Sequence, residues 1–150
     1  MQAYVNALLE SCCFYEVKRF DIKGKEHLRT LGKYYIADIG LRNCLLGFRS
    51  RDRGRIVENI VYFELLRRGC DVAVGKVGSA EVDFIAAKAD EKKYIQVAES
   101  MMSEDVRRRE LAPLQSIRDS CEKIVLSLEP GLDASYGGIK SESLIDWLLS

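Results

Sequence analysis

The sequence predicts an α/β fold in which a mixed β-sheet is flanked by helices. An amphipathic helix is expected over GRIVENIVYFELLRRG, residues 54–69. Three strand-like segments follow it, and a second helix then leads into KIVLSLEP, residues 123–130, which is typical of a strand buried on both faces. A chain of 150 residues accommodates one such domain together with a fragment of a second.

The helix over residues 54–69 has the clearest periodicity in the chain. Its apolar residues recur at helical spacing and form a wide stripe on one side. Gly69 follows two arginines and is a natural C-terminal cap. The stripe consists of Ile56, Val57, Ile60, Val61, Phe63 and Leu65.

The three strands are expected over residues 70–77, 81–87 and 92–100. Alternation along the second strand would place Val82 and Phe84 in the core and turn Asp83 toward a cleft. The next helix, capped by Ser103, would run on to Cys121 and would be kinked or split at Pro113.

The first 32 residues are expected to form a separate piece. A helix precedes FYEVKRFD, residues 14–21, which would pair with EHLRTL, residues 26–31, as a hairpin. A helix followed by a hairpin is the second half of a winged-helix unit. The prediction is therefore a partial winged-helix segment over 1–32 and the α/β domain over 33–150, with a chain that begins inside a domain.

Composition excludes several kinds of function. The formal net charge is zero, so no overall field attracts nucleic acid. No apolar run is long enough to span a bilayer. A single histidine and the absence of a CxxC pair argue against zinc, and no phosphate-binding loop of the GxxxxGK[ST] type occurs. The unpaired cysteines favour reduced thiols and a cytoplasmic location; they are Cys12, Cys13, Cys44, Cys70 and Cys121.

The order of elements, with acids on the second strand and a polar motif on the third, resembles the PD-(D/E)XK nuclease superfamily and its restriction-endonuclease-like fold. Members hold Mg²⁺ with carboxylates from a helix and two strands. One carboxylate lies on the second strand, and another lies on the neighbouring strand with a lysine two residues beyond it. These last two side chains share a face, because side chains alternate along a strand. That lysine orients the water and stabilises the developing negative charge.

This sequence departs from the superfamily pattern at its third strand. The resemblance assigns Asp83 to the conserved aspartate position, with Glu81 beside it, and Glu58 to the helix acid. Gln96 stands where the second carboxylate is expected and Ala98 where the lysine is expected. The resemblance therefore implies a degenerate catalytic set of Glu58, Asp83 and Gln96, in a pocket without an ammonium group.

Two binding expectations accompany this site. A magnesium site formed by Asp83 and Glu81 would be weak, because too few carboxylates are available. The arginine-rich loop over residues 49–55 could contact nucleic-acid phosphates, or it could be a solvated loop tempered by Asp52. Its four arginines are Arg49, Arg51, Arg53 and Arg55.

A second resemblance covers almost the whole chain. The segments KYYIADIGLRN, VENIVYFELLRRG, EVDFI, YIQVAES, RRREL and KIVLSLEP…GGIKSESLIDWLL resemble, in this order, the C-terminal region of a large prokaryotic family of AAA+-type ATPases. In that family a P-loop ATPase domain precedes a winged helix and a nuclease-like domain of unknown function. The resemblance implies that ATP binds only in the N-terminal part outside this chain, and that the ATPase module is a partner of this domain.

The function expected from these observations is that of a catalytically impaired, nuclease-like recognition or assembly domain within a larger ATPase. Two alternatives stay open. One is an active Mg²⁺-dependent nuclease that uses Glu58, Asp83 and a non-standard third group. The other is a module for protein docking or for homo-oligomerisation, with no nucleic acid and no membrane as partner.

Overall fold

The computed structural model describes residues 2–131 and 134–150, and it has an α/β architecture with a mixed sheet flanked by helices. This part of the predicted fold class is confirmed. The helices are α1 (Gln2–Glu10), α2 (Ile39–Leu46), α3 (Arg53–Arg67), α4 (Glu104–Gln115) and α5 (Leu144–Leu149). The strands are β1 (Phe14–Val17), β2 (Arg19–Asp21), β3 (Glu26–His27), β4 (Lys33–Ile36), β5 (Asp71–Val77), β6 (Ala80–Lys88), β7 (Glu91–Ser100), β8 (Glu122–Glu129), β9 (Ser135–Tyr136) and β10 (Ile139–Ser143).

The strands of the described residues form one large sheet and one two-stranded ribbon. The large sheet has eight strands in the order β3-β2-β5-β6-β7-β8-β10-β9. Its centre, β5-β6-β7, is antiparallel, whereas β8 joins β7 in parallel and β10 joins β8 in parallel. The element order α3-β5-β6-β7-α4-β8 agrees with the order read from the sequence.

Helices cover both faces of this sheet, and each face has its own buried core. On the α3 face, residues of α3 and α5 pack on Phe84 and Ile95 together with Leu126. On the α4 face, Leu111 and Leu114 of α4 pack on the opposite side of the same strands. The strands β6, β7 and β8 are therefore buried from both sides, which explains their nearly continuous apolar sequences.

Helix α3 ends where the sequence places its end. Gly69 has a φ of +77°, in the left-handed region that glycine occupies without a steric penalty. The backbone N–H of Cys70 returns to the carbonyl of Leu65 at 3.0 Å and that of Gly69 to Leu66 at 2.9 Å. The predicted C-terminal cap is confirmed.

The N-terminal segment does not pair as the sequence suggests. FYEVKRFD is divided at Lys18: β1 pairs antiparallel with β4, and β2 pairs in parallel with β5 at the edge of the large sheet. The expected hairpin forms only in part: Glu26–His27 pairs with β2, and the backbone N–H of Leu28 donates to the carbonyl of Arg19 at 2.8 Å. The strand pairs β1-β4 and β2-β5 both cross the predicted boundary between residues 32 and 33, so this segment shares hydrogen bonds with the α/β domain.

An asparagine of α3 anchors β4 to the helix. The amide oxygen of Asn59 accepts from the backbone N–H of Ile36 at 2.9 Å, and its amide nitrogen donates to the carbonyl of the same residue at 2.9 Å. The side chain thus pairs both backbone groups of Ile36, as a neighbouring strand would. Asn59 is itself buried, and this double bond fixes how far β4 lies from α3.

Strand β6 contains a β-bulge at Asp83 and Phe84. Ala73 of β5 lies opposite Ile85 and Gly75 lies opposite Val82, so three steps of β6 correspond to two of β5. Val82 consequently faces α4 while Phe84 faces α3. The expectation that these two residues share one face is wrong, because the inserted residue reverses the alternation on one side of it.

Gly75 is required opposite this bulge. A Cβ atom at this position would lie 3.0 Å from Ile22 Cδ1, 3.1 Å from Val82 Cβ and 3.2 Å from Ile85 Cγ1. The close approach of β5 to β6 therefore depends on the missing side chain.

We expect Asn59→Ala to lower the free energy of unfolding by about 2–3 kcal/mol, because it leaves two backbone groups of Ile36 without their partner. Urea denaturation measures the loss, and hydrogen exchange should show reduced protection of the β4 amides. Asn43→Ala is the control, because the half-buried Asn43 side chain of α2 accepts one hydrogen bond from Arg42 Nη1 at 3.1 Å; it should cost less than about 1 kcal/mol. Equal effects of the two substitutions would contradict the anchoring role of Asn59.

Candidate functional site

The ammonium group of Lys33 lies among three carboxylates. Its Nζ atom is 2.5 Å from Glu58 Oε1, 3.5 Å from Glu81 Oε1 and 3.7 Å from Asp83 Oδ1. These residues come from β4, α3 and β6, which are distant in sequence. We call Lys33, Glu58, Glu81 and Asp83 the ion cluster. The expectation of a pocket with no ammonium group is wrong, because β4 carries a lysine into it.

Strand alternation on β4 supplies two of the groups that contact Glu58. Lys33 and Tyr35 are two residues apart and point to the same side of the strand. The hydroxyl of Tyr35 donates to Glu58 Oε1 at 2.5 Å, and its ring stacks on Tyr62 with a centroid separation of 4.4 Å. Burial and the adjacent Glu58 carboxylate raise the pKa of Tyr35, so the phenol stays a donor.

Asp83 sits at the bulge and reaches across to β7. Its Oδ2 atom accepts from the backbone N–H of Val97 at 2.9 Å. Burial, reinforced by the nearby Glu58 carboxylate, raises the pKa of Asp83 to about 7, although Lys33 and the Val97 N–H favour the charged form. The carboxyl group therefore changes its charge close to neutral pH.

The charge of Lys33 is retained in this partly buried setting. Burial disfavours an ammonium ion, but the adjacent carboxylates, Glu58 foremost, outweigh burial and raise the pKa of Lys33. Glu81 has a second cationic partner, because Arg19 Nε lies 3.2 Å from its Oε2 atom. The three acids of the ion cluster thus lie near two cationic side chains, Lys33 within the cluster and Arg19 beside it.

Gln96 lies beside Asp83 but faces α4. Its amide oxygen accepts from the backbone N–H of Asp83 at 3.3 Å, and its amide nitrogen donates to Glu110 Oε2 at 3.1 Å. Both ends of the amide are therefore engaged, and the residue is buried. The structure brings Glu58 and Asp83 together at the ammonium group, while Gln96 bonds to the backbone and to α4.

Ala98 is also directed at α4. It is 4% exposed and packs in the cluster that contains Met101 and Leu111. A lysine at this position would enter that apolar cluster rather than the ion cluster. The two lysines considered from sequence are elsewhere as well: Lys88 donates to the carbonyl of Arg68 at 2.8 Å, and Lys76 pairs with Glu81 only through the backbone register of β5 and β6.

The arginine loop divides between internal pairing and the surface. It forms a short 3-10 turn, Ser50–Asp52, that leads into α3. Arg53 pairs with Glu99 at 3.2 Å, whereas Asp52 is buried and pairs with Arg42 of α2 at 2.5 Å. The remaining three arginines are exposed and form no salt bridge within the described part of the chain; they are Arg49, Arg51 and Arg55.

The arrangement does not fit the Mg²⁺ ion that the superfamily resemblance implies. Over residues 2–131 and 134–150, no group of three or more histidine, cysteine, aspartate or glutamate side chains is placed to hold a metal. The position between the carboxylates is taken by Lys33 Nζ. The second-carboxylate position offers only an amide whose donor and acceptor are both engaged.

Sequence reasoning missed Lys33, Tyr35 and Asn59. Lys33 and Tyr35 belong to KYYI, a short strand that precedes the helix-strand core and was assigned no role. Their two-residue spacing shows only that they share a face. Asn59 follows Glu58 directly, and a polar pair inside an apolar helical stripe is the one local signal that both side chains have buried partners.

Comparison with other proteins gives one informative match. An uncharacterized protein of Haemophilus influenzae is 40% identical over 146 residues, which cover 97% of this chain and 36% of that protein. The chain thus spans about a third of the length of this relative. No protein-family model matches the chain, and no solved structure gives a significant match. None of the described helices is long and apolar enough to cross a bilayer.

We expect Asp83→Asn to raise the free energy of unfolding by about 1–3 kcal/mol at pH 8, because it removes a buried charge and keeps an acceptor for Val97. The pKa of Asp83 rises from 3.8 in the unfolded chain to about 7 in the folded protein, so the folded state binds the extra proton in this window. Wild-type stability therefore decreases as the pH rises from about 4 to about 7, and the advantage of Asp83→Asn appears over the same range.

Chemical denaturation at pH 4.5, 6 and 8 tests this expectation. Asp90→Asn is the control, because Asp90 is an exposed aspartate in the turn that follows the same strand. A loss of stability in Asp83→Asn that is the same at all three pH values would show that the aspartate is held as a permanently charged ion-pair partner.

Proposed function

We propose that this chain is a nuclease-like domain of a larger AAA+-type ATPase that serves recognition or assembly and has lost phosphodiester hydrolysis. The ion cluster carries the proposal. It has acids on a helix and a bulged strand, as a nuclease of this kind would, but its central position is filled by the protein's own ammonium group. A carboxylate pair neutralised in this way attracts a divalent cation only weakly.

The architecture around the cluster supports the nuclease-like part of the proposal. The element order α3-β5-β6-β7-α4-β8, with Glu58 on α3 and Asp83 on β6, matches the order of the restriction-endonuclease-like core. Gln96 and Ala98, the two third-strand positions of the motif, face α4 instead of the site, although Gln96 accepts a hydrogen bond from the backbone N–H of Asp83. The same proposal includes the assignment of residues 1–32 to part of a winged helix.

The Haemophilus influenzae relative supports the proposal that this chain is part of a larger protein. Nearly two thirds of that protein lies outside the region that resembles this chain. A domain of this kind thus occurs inside a longer polypeptide. The ATPase module, with ATP as its ligand, is proposed for that additional region, and the cytoplasm is proposed as the compartment.

An active nuclease is the second candidate, and one specific observation favours it. Lys33 supplies, from β4, the ammonium group that the sequence motif lacks, and it lies 3.7 Å from Asp83 Oδ1. In this case Lys33 would be the catalytic lysine rather than an internal counter-ion. The exposed arginines at the start of α3 would then hold the phosphate backbone.

A cleavage assay separates the two candidates. We expect no cleavage of labelled single-stranded DNA, duplex DNA or RNA in Mg²⁺ or Mn²⁺ above the level of Asp83→Ala, because Lys33 Nζ occupies the position between the carboxylates. Cleavage by the wild type that both Asp83→Ala and Lys33→Met abolish would establish the active nuclease. Binding without cleavage, weakening steeply with salt, would support nucleic-acid recognition.

Removal of the internal counter-ion should create a metal response that the wild type lacks. We expect Lys33→Met to lower the free energy of unfolding by about 2–4 kcal/mol, because it leaves neighbouring carboxylates uncompensated. Millimolar Mg²⁺ should restore part of this stability in Lys33→Met, as measured by the thermal midpoint, and should leave the wild type unchanged.

Lys88→Met is the matched control, since Lys88 contacts a backbone carbonyl and forms no ion pair with the described carboxylates. Stabilisation of the wild-type protein by micromolar Mg²⁺ would contradict the counter-ion role of Lys33. So would a Lys33→Met variant that responds to Mg²⁺ no more than the control does.

A further inference from the structure

Helix α2 presents an exposed apolar surface. None of its residues is buried. Leu45 is 74% exposed and Leu46 is 54% exposed, and Phe48, just beyond the helix, is 72% exposed. Large apolar side chains grouped in this way on a surface mark interaction sites in soluble proteins.

A cavity of about 630 Å³ opens between α2, α3 and β4. Its apolar walls come from Ile39 and Leu46 of α2, Ile56 of α3 and Phe14 of β1. Together with the exposed side chains of α2 and Phe48, this cavity forms a continuous apolar feature that we call the α2 groove. Its size and depth are sufficient for one or two large side chains of a partner.

The rim of the α2 groove is basic in a chain of zero net charge. Of the three cations that line the cavity, Lys33 is paired with Glu58 and Arg42 with Asp52, whereas Arg55 is exposed and forms no salt bridge within the described residues. Over residues 38–55 the sequence has five arginines and two aspartates. Of the two aspartates, Asp52 is buried against Arg42.

This charge distribution selects among possible occupants. A second copy of the chain, packed groove to groove about a two-fold axis, would bring the arginine rims together and leave like charges opposed. Nucleic acid would satisfy the arginines but would leave the leucines uncovered, because bases stack on flat aromatic rings and the groove is mainly aliphatic. An amphipathic segment with aliphatic or aromatic anchors and carboxylates at its edges satisfies both features.

We infer that the α2 groove is the docking site for an acidic amphipathic helix of a partner protein. The anchors of that helix fill the cavity, and its flanking carboxylates meet Arg55, which is exposed and forms no salt bridge over residues 2–131 and 134–150. This inference rests on the assembly role proposed above. The cavity borders the ion cluster, but its test substitutes Leu46 and Arg55, which lie outside that cluster, and measures peptide binding instead of cleavage or Mg²⁺ response, so that each proposal can fail without the other.

The test compares two synthetic peptides of about 16 residues that share the same leucine and phenylalanine positions. One has glutamates on its polar face and the other has lysines. Fluorescence anisotropy with the full chain should show that the acidic peptide binds at least about tenfold more tightly than the basic one. Arg55→Glu should reverse that preference.

Two substitutions of matched exposure locate the binding surface. Leu46→Glu should weaken the acidic peptide at least about tenfold, because it places a charge at an anchor position. Met102→Glu is the control, since Met102 is 55% exposed, close to the 54% of Leu46, and lies just before α4. It should leave the affinity unchanged, and circular dichroism should show that both variants are folded.

The inference is overturned by any of four results. These are equal binding of the two peptides, no binding of either at about 1 mM, equal effects of Leu46→Glu and Met102→Glu, and a preference that Arg55→Glu does not alter. A concentration-dependent dimer that Leu46→Glu abolishes would assign the groove to self-association instead. Single-stranded DNA binding that Leu46→Glu abolishes, without peptide binding, would assign it to nucleic acid.

Discussion

The ammonium group of Lys33 is the contact on which the candidate site depends. Glu58, Glu81 and Asp83 approach one another from a helix and a bulged strand, and three carboxylates at such distances repel each other unless a cation lies between them. Lys33 compensates one of these charges and Arg19 compensates another at Glu81. Burial, together with the nearby Glu58 carboxylate, raises the pKa of Asp83. The cluster is therefore stable only because Lys33 and Arg19, which lie outside the helix-strand core, contribute positive charge.

The position of the Lys33 ammonium group depends on where β4 lies. Strand β4 belongs to a two-stranded ribbon with β1, outside the large sheet, and Asn59 fixes it to α3 through both backbone groups of Ile36. Tyr35 adds a hydrogen bond to Glu58 from the same strand. Since Glu58 and Asn59 are consecutive, the same turn of α3 anchors β4 and forms the salt bridge with Lys33. Strand β4, which precedes the helix-strand core, is thus part of the site.

The site and the α2 groove share a wall and differ in character. Lys33 and Glu58 line the cavity and are paired with each other, while Leu45 and Leu46 of α2 are exposed to water. Buried ionisable groups and exposed apolar groups each cost stability, and proteins retain them mainly where they serve function. A ligand seated in the groove would lie against the ion cluster, so the two features are adjacent parts of one surface.

The sequence determined the core elements, since helix α3, its cap at Gly69 and the apolar strands depend on local periodicity and turn chemistry. The expected α3 stripe is only partly correct, because Ile60 is exposed and Tyr62, outside the stripe, is buried. It also placed Glu58 and Asp83 on elements that meet. Only tertiary structure decided that Lys33 joins them, because that contact spans sequence separations that no local pattern encodes. The bulge at Asp83 likewise could not be predicted from the sequence, because it arises from the pairing of β6 with β5 at Gly75. The bulge allows Asp83 to reach Lys33 on the α3 side, whereas the side chains of β7 alternate regularly and Gln96 and Ala98 face α4.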